Sequence, residues 1–136
     1  MGKKRQRIKV PLISIVDDDQ SVVEAMVSLI QPVGYKAKGF RSAEDFLKSR
    51  QLLNTACLIL DVLMPSIGGF ELQRRLAARN YRIPIIFITS FDSDDVRIRA
   101  FQAGAVEFLC KPFSQESLFQ AVRSALANQQ DIQHES

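Results

Sequence analysis

Four mostly apolar runs in this sequence stop on residues that can do chemistry. Leu12-Ile13-Ser14-Ile15-Val16 stops on Asp17-Asp18-Asp19, Ala56 to Leu60 on Asp61, Ile85 to Ile88 on Thr89-Ser90, and Val106 to Cys110 on Lys111. If these ends share one crevice, several carboxylates meet there, and they repel one another or take up protons unless a cation shares them. A hard divalent ion meets that demand. Mg²⁺ takes one or two carboxylates, a carbonyl or so and several waters, which leaves positions for a phosphoryl group. The sequence has no GxxxxGK[ST] loop, so a nucleotide is not the expected donor. A carboxylate beside a cation, a lysine and a hydroxyl is instead equipped for covalent phosphoryl capture, with Asp61 attacking phosphorus to give an acyl phosphate.

The elements between these residues explain why their ends meet. Apolar runs alternate with amphipathic segments from residue 12 to about 127, the pattern of a parallel sheet flanked by helices. Five strands are predicted: Leu12–Val16, Tyr35–Phe40, Ala56–Leu60, Ile85–Ile88 and Val106–Cys110. The second is the weakest, and its Lys36, Lys38 and Gly39 suggest an outer position. Helical spacing runs from Ser21 to a stop at Pro32-Gly34, and from the cap Ser42 through Ala43, Phe46 and Leu47 towards Leu52-Leu53. It recurs from Phe70 to Arg79, from Ser93 to Ala103, and from Gln115 to Ala127. The result is an α/β chain in (βα)₅ order. Right-handed crossovers bring every strand's C-terminal end to one sheet edge, where ligands of open α/β sheets bind.

Composition narrows the classes. The chain has 136 residues, enough for one domain with a real core, and carries 18 Lys+Arg against 15 Asp+Glu. Five of the positives, Lys3, Lys4, Arg5, Arg7 and Lys9, precede the first acid, and without them the body carries −2. The body therefore offers no basic patch for nucleic acid, and none is expected to bind this domain. No apolar run approaches the ~20 residues that span a bilayer, so no membrane association and a cytoplasmic location are expected. Cys57 and Cys110 lack metal-type spacing and read as small hydrophobes, although Lys111 beside Cys110 could depress its thiol pKa. The single histidine, His134, lies near the C-terminus and excludes a multi-histidine site. Three parts are expected: a basic leader at 1–10, a folded domain at 11–127, and a polar tail or linker stub at 128–136.

Val16-Asp17-Asp18, Leu60-Asp61-Val62-Leu63-Met64-Pro65 with Gly69, Ile88-Thr89-Ser90 and Lys111-Pro112-Phe113 resemble, in order and spacing, the receiver domains of two-component response regulators. The resemblance covers residues 11 to 127. It implies a doubly wound, flavodoxin-like five-stranded parallel sheet of order 2-1-3-4-5 with helices on both faces. It also implies Asp61 as the phosphoacceptor, supplied by a histidine kinase or a histidine phosphotransfer protein. Mg²⁺ would be held directly by Asp18 and Asp61, by the Leu63 carbonyl, and by Asp17 through water. Lys111 resembles the lysine that pairs with the acceptor and then with the phosphoryl oxygens, and Thr89 the hydroxyl that moves onto the new phosphoryl group. Phe108 occupies the aromatic switch position, with Phe where Tyr is frequent. Lys111-Pro112 is the expected cis peptide.

Other readings stand beside these. Asp19 reads as a loop or helix-cap residue, Phe108 as a plain core aromatic or a switch, and Arg74, Arg75, Arg79 and Arg82 as a solvated helix face. In the fourth helix Ile98 and Phe101 fall on one side and Val96, Ala100 and Ala103 on another. The side turned from the sheet would serve a homodimer through helix 4, strand 5 and helix 5. Leu63 and Phe91, each two residues past a site residue, are bulky and apolar and should obstruct a hydrolytic water. The leading function is a phosphorelay switch controlling an output or partner, a population shift and not an enzyme's cycle. The alternatives are a Mg²⁺-dependent phosphohydrolase with Asp61 as nucleophile, disfavoured because no second acid stands two residues on, and a degenerate receiver. The intact Asp17, Asp18, Asp61, Thr89 and Lys111 argue against the latter.

Overall fold

The computed structural model describes residues 10–135, with side chains to Ala127. Most of the basic leader lies outside the described residues. Strands β1 (Leu12–Val16), β2 (Lys36–Phe40), β3 (Thr55–Asp61), β4 (Ile85–Thr89) and β5 (Glu107–Cys110) form one parallel sheet in the order β2-β1-β3-β4-β5. The helices α1 (Gln20–Ile30), α2 (Ala43–Lys48), α3 (Gly69–Ala78), α4 (Asp94–Gln102) and α5 (Gln115–Glu135) follow the strands in turn. This is the (βα)₅ architecture and strand order expected.

Both sheet faces are covered, so the central strands read as unbroken apolar runs. On one side Ile13, Ile15, Ile59 and Ile86 pack against Met26 and Ile30 of α1 and Leu118 and Val122 of α5. On the other Leu58, Leu60 and Phe87 pack against Phe46 of α2, Leu72 and Leu76 of α3 and Ala100 of α4. Each large apolar side chain buried in these layers stabilises the fold by about 1.5–3 kcal/mol. β2 lies at the edge, as its composition suggested, with Lys36 and Lys38 exposed.

Local chemistry sets the helix starts. Asp19 accepts from the amides of Ser21 and Val22, Ser42 from that of Asp45, and Ser93 from that of Val96. Each side chain satisfies N–H groups that a helix start leaves unpaired. Asp19 is therefore a helix cap, one of its two expected roles. The one polar residue inside β1, Ser14, is fully buried and lies 2.7 Å from Thr55 Oγ1. Thr55 donates its own proton to the Gln51 carbonyl, so Ser14 must be the donor of the pair.

Three expectations are corrected. The second helix stops at Lys48, and Ser49 caps a separate 3-10 turn over Arg50–Asn54. Leu52 is buried there while Leu53 is 73% exposed, so the two do not share a buried stripe. α5 continues beyond Ala127 to Glu135, where a polar tail was expected, because no Gly or Pro interrupts residues 128–135.

Gly39 in β2 shows how closely α1 approaches the sheet. A Cβ built there would lie 2.1 Å from Val23 Cγ1. Gly39→Ala is therefore expected to destabilise the protein by about 1–3 kcal/mol through overpacking. Val23→Ala clears the space, so the double variant should lose less than the two single losses combined. Urea midpoints of the four proteins check this, and strict additivity would contradict it.

Candidate functional site

The sequence-predicted residues converge at the C-terminal ends of β1, β3, β4 and β5. Asp17 follows β1 and is fully buried, Asp61 is the last residue of β3 and is buried, Thr89 ends β4 and is buried, and Lys111 follows β5. Asp18, next to Asp17, is exposed. Asp17, Asp18 and Asp61 each offer a carboxylate oxygen, and the three oxygens lie within 4.8 Å of one another.

The hydrogen bonds assign different duties to the carboxylates. Asp17 Oδ1 accepts from the Asp19 amide at 2.9 Å and its Oδ2 accepts from Lys111 Nζ at 2.8 Å. Lys111 Nζ lies 3.7 Å from Asp61 Oδ2. The resemblance pairs the lysine with the acceptor. In this structure it sits closer to Asp17, the one carboxylate of the three with no exposure, where an unpaired charge would cost most. Asp61 Oδ1 receives a longer bond, 3.4 Å, from the Leu63 amide.

One ammonium does not neutralise this edge. Burial pushes the Asp61 carboxyl up and the charge of Asp17 adds to it. Lys111 and the Leu63 amide pull the other way, and the result is about 7. Burial by itself would lower Lys111, but the hydrogen bond to Asp17 and the charges of Asp61, Asp17 and Asp19 outweigh it and raise the ammonium above its ordinary value.

This donor set suits Mg²⁺. At metal–oxygen distances of 2.0–2.1 Å, opposite octahedral ligand oxygens are about 4.2 Å apart, and the three carboxylate oxygens, all within 4.8 Å of one another, are near enough to share one ion after a small adjustment. Asp17 has both oxygens engaged within the protein, which suits contact through water. Asp18 is exposed, and Asp61 is held only by the longer contacts to the Leu63 amide and Lys111.

The loop after Asp61 is held against the strand end. The Gly69 amide donates to the Val62 carbonyl at 2.9 Å, and a Cβ on Gly69 would lie 2.4 Å from the Asp61 carbonyl oxygen. Only glycine permits that approach, which explains the Gly69 that the motif contained. Lys111-Pro112 is cis, as expected.

Thr89 Oγ1 accepts from the Phe91 amide at 3.1 Å. Phe108 is buried, and the Arg97 guanidinium lies over its ring, 4.9 Å from the centroid. Leu63 and Phe91 are 61% and 57% exposed, an apolar rim beside the carboxylates. Val96, Ala100 and Ala103 of α4 turn to the core, leaving Ile98 and Phe101 exposed. Arg74 and Arg75 pair with Glu71, in keeping with a solvated face.

The cysteine expectation divides. Cys57 is a buried hydrophobe whose thiol burial pushes up to about 12. Cys110 is not depressed by Lys111. Desolvation and then Asp92, whose carboxylate accepts from the thiol at 3.5 Å, raise it, with Arg97 opposing. Asp92, Arg97 and Arg41, which donates to Gln20 at 2.9 Å, are contacts the sequence did not single out. Their partners lie 18, 11 and 21 positions away, beyond any local pattern. A cavity of about 210 Å³ lined by Leu76, Tyr81, Arg82 and Gly104 includes none of the carboxylates.

Comparison with known proteins agrees with this geometry. Residues 13–123 match the family model described as response regulator receiver domain. The chain is 42% identical over 126 residues to the response regulator protein TmoT of Ectopseudomonas mendocina, covering 93% of this chain and 57% of that protein. Among solved structures it resembles the response regulator StyR, with a TM-score of 0.85 and 37% identity, covering 93% of this chain and 64% of that one. It also resembles FixJ-N, with a TM-score of 0.81 and 31% identity, covering 88% of this chain and 96% of that one. The chain spans about half the length of the curated relatives it matches. Among the described residues, no helix is long and apolar enough to cross a membrane.

The raised pKa of Asp61 sets a pH dependence. The native carboxyl holds its proton to about pH 7, whereas the ordinary value is 3.8. Between those values the native state binds more protons than the unfolded chain, so stability falls as pH rises and levels off above 7. Asp61→Asn removes this loss. Without divalent cation the variant should gain roughly 2 kcal/mol more over wild type at pH 8 than at pH 5. Urea denaturation at the two pH values checks this, and a pH-independent difference would contradict it.

Proposed function

We propose that this chain, which belongs to the receiver domain family of two-component response regulators, works as a phosphoacceptor switch that takes a phosphoryl group from a kinase-side phosphohistidine onto Asp61. The observation that carries the reading is the convergence of Asp17, Asp18 and Asp61 around Lys111 at one sheet edge. A Mg²⁺ held by Asp18, Asp61 and the Leu63 carbonyl, and by Asp17 through water, would supply the charge neutralisation that lets a phosphoryl group approach these acids.

The chain's own residues do the rest. An ionised Asp61 oxygen forms the O–P bond as the N–P bond of the donor breaks, and the electron pair stays on the imidazole nitrogen. Lys111 lies within 3.7 Å of Asp61 and can turn from Asp17 towards the added phosphoryl oxygens. The Thr89 hydroxyl accepts from the Phe91 amide and keeps its own proton free to donate to a phosphoryl oxygen once it swings across. Phe108, three residues before Lys111 on β5, can adjust to that movement and carry it towards α4.

The new charge shifts a two-state population, so the chain is a signalling protein and not an enzyme. A sensor histidine kinase or a histidine phosphotransfer protein in the cytoplasm is the donor. Ile98 and Phe101, exposed on α4, suit a homodimer through α4, β5 and α5. No nucleic acid or membrane partner belongs to this domain.

Incubation with acetyl phosphate and Mg²⁺ should add one base-labile phosphoryl group by intact mass, and Asp61→Asn should abolish it. Removing Mg²⁺ with a chelator should slow the addition at least tenfold. Multiple turnover on phosphomonoesters would point to a phosphohydrolase, and no reaction to a degenerate receiver. Leu63 and Phe91 flank the acceptor and exclude water, so Leu63→Asn with Phe91→Glu should shorten the acyl phosphate lifetime about tenfold or more. An unchanged dephosphorylation rate would remove these two side chains from the account.

A further inference from the structure

α4 is anchored unlike its neighbours. α1 buries Val23, Met26 and Ile30, and α3 buries Phe70, Leu72 and Leu76, whereas α4 fully buries Ala100 alone, with Val96 only half-buried against the core. A methyl group and a half-buried valine give a helix far less than three large buried side chains do. With 100° between successive residues, Arg97 and Arg99 fall on opposite flanks of the inward stripe formed by Val96, Ala100 and Ala103. Both guanidinium groups lie over aromatic rings of the body: Arg97 over Phe108 at 4.9 Å and Arg99 over Phe70 at 4.3 Å.

The two rings lead to the acceptor site from different sides. Phe70 follows Gly69, whose backbone packs on the Asp61 carbonyl, and its ring packs at a 48° tilt against that of Phe87 of β4, 4.9 Å between centroids. Phe108 lies on β5, the strand that Lys111 follows. A shift of the Asp61 loop disturbs one contact, and a shift of β5 disturbs the other.

We propose that Arg97 and Arg99 are two cationic straps that hold α4 on the body and couple its release to events at Asp61. The coupling rests on the phosphoacceptor reading; the anchoring does not. The straps stabilise the arrangement in which the Thr89 hydroxyl is engaged by the Phe91 amide. A phosphoryl group that draws Thr89 and the Asp61 loop inward displaces Phe108 and Phe70 beneath the straps and frees α4. Linkage is reciprocal, so loosening a strap must favour binding at Asp61 by the same factor.

Hydrogen exchange by mass spectrometry on the 136-residue chain, comparing wild type with Arg97→Met, Arg99→Met and the double variant, tests the anchoring. Met retains the apolar stem and removes the cation. Exchange in α4 should accelerate about two- to fivefold for each strap lost, the range an exposed cation–π contact supports, with α1 and α5 unchanged. Arg97→Lys and Arg99→Lys, which keep the charge, should restore part of the protection. Titration with beryllofluoride and Mg²⁺ tests the coupling, and each Met variant should bind the phosphoryl mimic tighter by the factor its α4 exchange gained.

Unchanged exchange in α4, or equal acceleration in α1 and α5, would overturn the straps. Faster α4 exchange with unchanged beryllofluoride affinity would overturn the coupling. If wild type binds no beryllofluoride and takes no phosphoryl from acetyl phosphate, the phosphoacceptor reading fails and the coupling with it, while exchange still decides the anchoring.

Discussion

Three carboxylates and one ammonium share the C-terminal edge of a sheet whose interior is mostly apolar, and their imbalance governs this molecule. Asp17 is fully buried and accepts both from Lys111 and from the Asp19 amide. Burial and then the charge of Asp17 push the Asp61 carboxyl up to about 7, and its weaker share of the single ammonium does not bring it back. A site so arranged is stabilised by whatever brings positive charge to it and reorganised by whatever adds negative charge. The apolar layers on both faces supply the low-dielectric surroundings that make the effect large. The fold tolerates this edge because so much hydrophobic burial lies beneath it.

The edge could be read from the sequence because its ingredients sit where apolar runs stop. Asp17, Asp61, Thr89 and Lys111 each end a mostly apolar stretch, so the strand pattern and the chemical pattern reinforce each other. Two helix caps were legible in a similar way: Ser42 precedes an acidic first turn and Asp19 an apolar-periodic run, whereas Ser93, read as the first residue of its helix, caps it. Strand order came from family likeness, since the runs themselves do not say which neighbours pair.

What the sequence hid depends on distance through space. Which carboxylate the lysine prefers is decided by relative burial at the end of a contact 94 residues long. Desolvation and then the pairing of Cys110, at the end of β5, with Asp92 in the loop after β4 raise a thiol that Lys111 could have depressed. Leu52 and Leu53 were indistinguishable by type, and only the 3-10 turn separates the buried one from the exposed one. α4 was seen to have two apolar sides, but alanine's small size made it hard to know that the Ala100 side faces the core and the Ile98 side faces out.

β2 bears on a different problem, that of sheets meeting other sheets. An edge strand presents unpaired amides and carbonyls on which a second chain can continue the ladder. Here the exposed positions of β2 carry Lys36 and Lys38, alternating with the half-buried Ala37 and Gly39. A second β2 approaching in either direction would bring ammonium groups against ammonium groups and strip their hydration. The same lysines that weakened this strand as a sequence signal thus act as guards against open-ended association along the β2 edge.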